Sequence, residues 1–120
     1  MSYLQGDVFW LDLREPVGSE PGYRHPCIIV QNDEFNLSKI STVVVCMCTS
    51  NLVLENAPGN VRLYKGDASL PEPCVANISQ IITINKSDLR EKIGRLSNGQ
   101  LAKVIEGITF LLNKTAGPYR

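Results

Sequence analysis

The sequence carries no excess of charge of either sign, because its 12 Lys and Arg residues balance its 12 Asp and Glu residues. A chain without net charge creates no general field that draws in nucleic acid. This balance excludes a protein that coats DNA through bulk electrostatics, and it is compatible with an enzyme that contacts only a few nucleotides.

Long apolar runs are also missing. No stretch of the chain is apolar for long enough to cross a bilayer. The N-terminus has no basic segment followed by an apolar core, so it does not have the pattern of a secretory signal peptide. We therefore expect a cytoplasmic protein without membrane contact, and we expect its four cysteines to be reduced thiols rather than disulfides.

The cysteines lack the spacing of a metal site. Cys46 and Cys48 are separated by one residue within an apolar run, whereas paired zinc ligands are usually about two to four residues apart. In a strand these two side chains point to the same face, where small buried thiols pack well. We predict core packing for the cysteines, and we expect neither a metal ion nor a cofactor.

A length of 120 residues is enough for one domain with one core. We expect a single domain over 1–120, with its core at about 6–113 and a flexible tail at 114–120. Internal repeats and low-complexity segments are absent from the sequence. Short runs rich in β-branched and aromatic residues alternate with turn residues. They predict strands at 7–13, 27–31, 42–49, 61–63, 74–76, 80–85 and 92–96.

One clear helix is predicted after these strands. Ser97 and Gln100 have the spacing of a capping box, in which each side chain binds the other residue's backbone N–H. Apolar residues then recur at the spacing of one helical face. They are Leu101, Val104, Ile105, Ile108, Leu111 and Leu112. Many short strands followed by one helix predict a mainly β fold, a small antiparallel barrel with a C-terminal helix.

The loop between the first two predicted strands carries distinctive chemistry. Its sequence over residues 18–26 is GSEPGYRHP. A residue before proline is biased towards extended backbone, so His25 is expected at the start of the next strand. Arginine presents a fixed charge in a fork that fits phosphate oxygens, and histidine exchanges protons near neutral pH. Such a loop is suited to binding phosphate.

Several blocks of the sequence resemble, in order and spacing, the MazF/PemK family of toxin endoribonucleases. The blocks are GDVFWLDL at 6–13, the loop at 18–26, CIIVQND at 27–33, TVVVCMCTSN at 42–51 and APGNV at 57–61. The resemblance covers the chain from Gly6 to about Leu112. It implies an SH3-like barrel of the CcdB/MazF type, which agrees with the predicted strands and helix.

The resemblance also implies a catalytic pair. In the family, an arginine directly before the loop-ending proline acts together with a threonine at the end of the third strand. The threonine corresponds to Thr49, but the position before the proline is occupied by His25, and Arg24 stands one residue earlier. Either His25 has taken over the acid–base role, or Arg24 reaches the phosphate while His25 assists. Extended neighbours point to opposite sides, so both enter one site only if the loop twists.

Six further polar residues are expected to contact RNA on the same grounds. Two lie in the loop that, by resemblance, closes over the substrate, two directly follow Thr49, and two lie on or near a strand beside the substrate groove. They are Ser19 and Glu20, Ser50 and Asn51, and Gln80 and Asn77, respectively. Trp10 and Phe9 could also stack on bases, although at least one of them is expected in the core.

The resemblance implies the toxin of a toxin–antitoxin pair, a metal-independent endoribonuclease that cleaves single-stranded RNA at preferred sequences. The expected products are 2′,3′-cyclic phosphate and 5′-hydroxyl ends, because no ligand cluster is present to activate water with a metal. The implied partners are a second copy, with RNA in a groove at the dimer interface, and an antitoxin whose disordered tail blocks that groove. Two alternatives stay open: a CcdB-like toxin that binds DNA gyrase, and a catalytically degenerate family member.

Overall fold

The computed structural model describes residues 2–12 and 24–115, and six strands within them form one antiparallel sheet. The strands are β1 (Asp7–Asp12), β2 (Arg24–Ile29), β3 (Thr42–Thr49), β4 (Val61–Leu63), β5 (Cys74–Asn85) and β6 (Leu89–Arg95). Their spatial order is β4-β5-β3-β2-β1-β6, and the sheet curls into a half-barrel. The predicted mainly β fold is confirmed, with β4 and β6 at the two edges of the sheet.

Two α-helices are present in the described part of the chain, α1 (Asp33–Asn36) and α2 (Asn98–Leu112). The predicted capping box of α2 is confirmed. The Ser97 hydroxyl oxygen accepts a hydrogen bond from the Gln100 N–H at 3.2 Å, and the Gln100 side-chain oxygen accepts one from the Ser97 N–H at 3.0 Å. Within the described ranges, neither helix is long and apolar enough to cross a membrane.

The predicted apolar face of α2 is covered along most of the helix and exposed in its last turn. Val104 is fully buried, and Leu101 and Ile108 pack against the core. Leu111 and Leu112, in contrast, leave 46% and 68% of their surface exposed. Helical periodicity shows which residues share a face, but it does not show how far along the helix a covering surface extends.

The sheet is buried on both faces, because successive residues of its central strands enter two different clusters. Val8 and Ile28 belong to the cluster that also contains residues of α2, whereas Phe9, Cys27 and Ile29 belong to the other. All four cysteines are free, buried thiols within these clusters or at their margin, as the spacing predicts. Burial raises the pKa of Cys27 and of Cys46 to about 12, so both thiols stay neutral.

The two predicted strands at 74–76 and 80–85 are one continuous strand, β5, which contains a large bulge. Cys46 pairs with Ile81 and Cys48 pairs with Ala76. An advance of two residues along β3 therefore corresponds to five residues along β5. The residues that looked like a break between strands are the extra residues of this bulge, which turn polar side chains outward.

A buried carboxylate joins the first strand to the last. Asp7 is fully buried, and its Oδ1 accepts a hydrogen bond from Arg95 Nη1 at 2.8 Å and forms an ion pair with Lys92 Nζ at 3.2 Å. Its Oδ2 accepts a hydrogen bond from the backbone N–H of Leu4 at 3.0 Å. A buried charge is tolerated only when it is paired in this way, so Asp7 fixes β6 and the N-terminal segment to β1.

Helix α2 approaches the segment before β4 through a pair of glycines. A Cβ atom added at Gly107 would collide with the backbone carbonyl oxygen of Gly59 and would press on Ile78. A Cβ atom added at Gly99, in the first turn of the same helix, would meet nothing within 4 Å. Gly107 is therefore required by packing, whereas Gly99 is not.

We expect Gly107→Ala to lower the free energy of unfolding by about 1–3 kcal/mol, because overpacking forces the helix away from a backbone atom that cannot rotate aside. Gly99→Ala is the matched control, and it should be neutral or stabilising by up to about 1 kcal/mol, since alanine is the better helix former. Urea unfolding of both variants measures the difference. Equal effects of the two substitutions would show that the close contact is absent.

Candidate functional site

Two neighbouring cavities open where β2 and β3 separate, and His25 lines both of them. The first, which we call the apolar cavity, has a volume of about 300 Å³ and is lined mainly by Trp10, Pro26, Leu70 and the segment 71–73. The second, which we call the polar cavity, has a volume of about 390 Å³. Its polar side chains are His25, Thr49, Asn51, Asn77 and Gln80.

The structure thus brings most of the predicted site residues together and divides them between the two cavities. The five residues of the polar cavity come from β2, the end of β3, the turn after it and the bulge of β5. Arg24 and Ser50 line the apolar cavity instead. Ser19 and Glu20 lie outside the described residues.

The cavities form at this place because the first residues of β2 pair with β1 but not with β3. β2 also begins earlier than predicted. The strand starts at Arg24, and its first three residues pair with β1, placing His25 opposite Leu11 and Pro26 opposite Trp10. β3 pairs with β2 only from Cys27 onward. A proline has no backbone N–H to donate to a neighbouring strand. It therefore suits this position, where β2 has a partner strand on one side only.

Arg24 is fixed beside the apolar cavity. Its Nε lies 3.4 Å from Asp12 Oδ1, its Nη2 lies 3.7 Å from Glu91 Oε1, and its guanidinium carbon lies 5.3 Å from the centre of the Trp10 ring. These exposed ion pairs contribute little to stability, but together with the Trp10 ring they hold the side chain beside the apolar cavity, and Arg24 is not among the described residues that line the polar one. Of the two candidate acid–base groups, His25 is therefore the one that shares a cavity with Thr49.

Thr49 is the last residue of β3, and its hydroxyl group is oriented by its own turn. The backbone N–H of Asn51 donates a hydrogen bond to Thr49 Oγ1 at 3.1 Å. Because the oxygen already accepts this bond, the hydroxyl hydrogen remains available to donate to a group in the cavity. A strand-end threonine held in this way is a directed donor.

Asn51 has a structural role that the sequence did not reveal. Its Oδ1 accepts a hydrogen bond from the backbone N–H of Val53 at 3.3 Å, and it thereby caps the 3₁₀ turn Leu52–Asn56. The amide NH₂ group of the same side chain keeps its donors. Asn51 therefore both shapes the wall of the polar cavity and offers hydrogen-bond donors to it.

The bulge of β5 carries a short chain of side-chain amides. Asn60 Nδ2 donates to Asn77 Oδ1 at 3.3 Å, and Asn77 Nδ2 donates to Gln80 Oε1 at 3.2 Å. Asn60 Oδ1 also accepts a bond from the Ile78 N–H at 2.9 Å, which anchors the bulge. Since Gln80 accepts through its oxygen, its NH₂ group remains a donor at the cavity.

The sequence alone assigned no role to Asn60, the first residue in this series of hydrogen-bonded amides. An asparagine before a short strand is an ordinary turn residue, and its contact with Asn77 spans 17 residues of sequence. The only available signal was its place in the block APGNV, which belongs to the pattern of the family. Only the paired strands show that this turn faces the bulge.

Buried thiols lie at the walls of both cavities. Cys46 donates its S–H to the carbonyl oxygen of Asn77 at 3.5 Å, and burial, which raises the pKa of Cys46 to about 12, keeps that donor protonated. Cys48 lines the polar cavity and Cys74 lines the apolar one. A hydrogen bond to Cys74, together with burial, raises the pKa of Cys48 above its usual range. The same bond, with Arg62 nearby, lowers the pKa of Cys74.

The groups around the polar cavity can bind and cleave a phosphodiester. A histidine can move a proton, and hydroxyl and amide donors can stabilise negative charge on phosphate oxygens. In residues 2–12 and 24–115, no three His, Cys, Asp or Glu side chains are grouped so that they could share a metal ion. A half-barrel with such a cavity at one end of its sheet is compatible with the class of small proteins that handle phosphodiesters.

The sequence comparison identifies the family within this class. Residues 4–112 match the PemK-like, MazF-like toxins of type II toxin–antitoxin systems, and the chain belongs to this family. Endoribonuclease MazF2 of Mycobacterium bovis and Endoribonuclease MazF6 of Mycobacterium tuberculosis are each 35% identical to the chain over 113 residues. Each alignment covers 94% of this chain and 99% of the relative.

A solved structure of a mycobacterial endoribonuclease in complex with its cognate antitoxin has the same fold. It superposes with a TM-score of 0.70 at 22% sequence identity, covering 92% of this chain and 93% of the other. The resemblance predicted from the sequence blocks is therefore confirmed at the level of family and fold.

Proposed function

We propose that this chain is an endoribonuclease that cleaves single-stranded RNA at preferred sequences without a metal ion. The observation that carries the proposal is the polar cavity, in which His25, Thr49 and Gln80 converge from three different strands. Family membership and the naming of the 35% identical relatives as endoribonucleases support it. As a family toxin, the chain would act by cutting cellular RNA.

The proposed reaction uses the RNA's own 2′-hydroxyl group as the nucleophile. A base removes the 2′-hydroxyl proton, the 2′-oxygen attacks the phosphorus atom, and the bond to the 5′-oxygen breaks as that oxygen takes up a proton. The products are a 2′,3′-cyclic phosphate and a 5′-hydroxyl end. His25 is assigned to proton transfer, because it is the only histidine among the described residues that line the polar cavity, and an imidazole can both accept and donate a proton.

Thr49 and Gln80 are assigned to the phosphate oxygens. The hydroxyl hydrogen of Thr49 and the amide NH₂ of Gln80 are donors left over after each side chain's oxygen has accepted its own bond. Donors that are already oriented cost no reorganisation when charge develops on the phosphorane, so they stabilise it more than mobile water does. Asn51 and Asn77 hold this arrangement and contribute further polar contacts.

Arg24 is assigned to binding rather than to the chemical step. It does not line the polar cavity, and two carboxylates and the Trp10 ring hold it beside the apolar one. From there it can contact the phosphate of a neighbouring nucleotide. Ser50, which lines the same cavity, is assigned to the same stretch of RNA.

The proposed partners are a second copy of the chain, single-stranded RNA and an antitoxin. A single small, neutral half-barrel offers little groove of its own, so a dimer would supply the second wall. The exposed side chain of Ile82, which lines the polar cavity, is an apolar contact available at that edge. The solved complex of a mycobacterial endoribonuclease with its cognate antitoxin supports an antitoxin as a partner. The proposed place of action is the cytoplasm.

Incubation of the purified protein with total RNA in EDTA tests the proposal directly. We expect cleavage to continue, because the assigned groups are all side chains, and we expect sequencing of the new 5′ ends to show hydroxyl termini. Ends that carry 5′-phosphate, or activity lost in EDTA, would contradict the mechanism. A protein that cuts no RNA would be the degenerate member or the gyrase-binding toxin considered above.

Thr49→Ala should lower the cleavage rate roughly a hundredfold, the usual loss when one oriented donor to a developing oxyanion is removed. Thr49→Ser retains the hydroxyl and is the matched control, which should keep most of the activity. Urea unfolding should place both variants close to the parent, because the strand-end hydroxyl is a minor part of the core. A fully active Thr49→Ala protein would reduce Thr49 to a strand residue.

The cleavage rate should change with pH between about 5 and 8 if His25 transfers the proton. We expect His25→Ala to remove this pH response together with most activity. His25→Arg should keep substantial cleavage activity, because arginine is the family's residue at this position.

Arg24→Ala should raise the RNA concentration needed for half-maximal rate more than it lowers the maximal rate. An inactive Arg24→Ala protein beside an active His25→Ala protein with an unchanged pH profile would reverse the two assignments.

A further inference from the structure

The apolar cavity adjoins the polar cavity through His25, but the cleavage chemistry leaves it without a role. Its walls are the Trp10 ring, Pro26, the buried Leu70 and the segment 71–73, which reads Pro-Glu-Pro. A volume of about 300 Å³ is at the small end of ligand sites, so it suits one flat group rather than a longer segment. A base is joined to its phosphate by only a few bonds, so a nucleotide next to the cleaved bond can place its base in a cavity that shares His25 with the polar one.

The walls have the properties of a surface on which a nucleobase stacks. Trp10 is half-buried, and the Arg24 guanidinium lies 5.3 Å from its ring centre. Aromatic rings and guanidinium planes are the groups on which unpaired bases of single-stranded RNA stack. The prolines extend the apolar wall without adding polar groups that would have to be desolvated.

Glu72 is the only carboxylate among the described residues that line this cavity. It stands between Pro71 and Pro73, where both the fixed ring before it and the restriction before a proline limit its backbone. Little conformational freedom is therefore lost when it binds. The carboxylate is exposed and forms no ion pair within the described residues, so its two oxygens are available as acceptors.

A carboxylate with two free acceptors distinguishes among the four bases. Guanine presents two adjacent donors, N1–H and the N2 amino group, on its Watson–Crick edge. Adenine and cytosine each place an acceptor nitrogen beside their amino group, and uracil places carbonyl oxygens on both sides of its single N–H. Only guanine can therefore bind both carboxylate oxygens at once, and a bidentate pair is the arrangement that discriminates best.

We propose that the apolar cavity is a nucleobase subsite that accepts guanine from the nucleotide beside the cleaved bond, with Trp10 as the stacking surface and Glu72 as the selecting group. The proposal rests on the proposed function, since it names part of the preferred RNA sequence. It makes Glu72 a specificity-determining residue that takes no part in proton transfer.

The chain contains a single tryptophan, so the fluorescence of Trp10 reports on this cavity alone. The probe is a short single-stranded 2′-deoxyoligonucleotide with one guanine among thymines, which binds but cannot be cut because it lacks the 2′-hydroxyl nucleophile. We expect it to quench the fluorescence. Replacing guanine by inosine, which lacks the N2 amino group, should weaken binding roughly five- to tenfold, and adenine should weaken it at least as much.

Glu72→Gln should bring the guanine and inosine probes to nearly equal affinity. Glu34→Gln removes the same charge from the first turn of α1, which lines neither cavity, and it should preserve the difference. Guanine and inosine probes that bind the parent protein equally, or a difference that survives Glu72→Gln, would overturn the proposal.

Sequencing of the ends released from random-sequence RNA gives the second readout. The parent protein should show guanine enriched at one position beside the cut, and Glu72→Gln should lose that enrichment while cutting continues. Unchanged enrichment in Glu72→Gln would also overturn the proposal. If the parent cuts no RNA, the proposed function fails, but the fluorescence titration still decides whether the cavity selects guanine.

Discussion

The bulge of β5 is the constraint on which the site depends. An advance of two residues along β3, from Cys46 to Cys48, corresponds to five residues along β5, and the extra backbone cannot pair with its neighbour. The structure satisfies that backbone through Asn60, which binds the Ile78 N–H, and through the Cys46 thiol, which donates to the carbonyl oxygen of Asn77. Because unpaired buried polar groups are costly, these contacts fix the bulge in one shape and aim its amides into the polar cavity.

The opening of the sheet at the start of β2 divides the candidate site into two cavities, to which we assign reaction and recognition. Pairing with β1 holds this end of β2, while β3 pairs with β2 no further than Met47, and two cavities that share His25 lie where the strands are unpaired. One cavity holds the donors suited to a phosphate, and the other holds the apolar walls suited to a base. A phosphate and its neighbouring base are joined by only a few bonds, so a cleavage enzyme needs two adjacent sites of this kind.

Arg24 and His25 are adjacent in β2 but occupy different surroundings. Successive side chains of a strand point in opposite directions, and contacts with residues of the neighbouring strand then fix the position of each side chain. Asp12 lies opposite Arg24 and holds its guanidinium near Trp10, so His25 alone reaches the cavity that contains Thr49. The departure from the family's usual arginine is thus accompanied by a geometry that gives the histidine its place.

The sequence by itself determined the family, the mainly β architecture, the capping box of α2 and the buried state of the cysteines, because each depends on local patterns or short spacings. It also pointed to Thr49 and His25 through blocks typical of the family, and to Gln80 through the resemblance to the family. It could not show that β5 is one bulged strand or that Asn60 faces Asn77. Those two facts depend on contacts between residues distant in sequence, which only the curled sheet brings together. The separation of the site into two cavities was likewise decided by tertiary structure, because it follows from where two strands cease to pair.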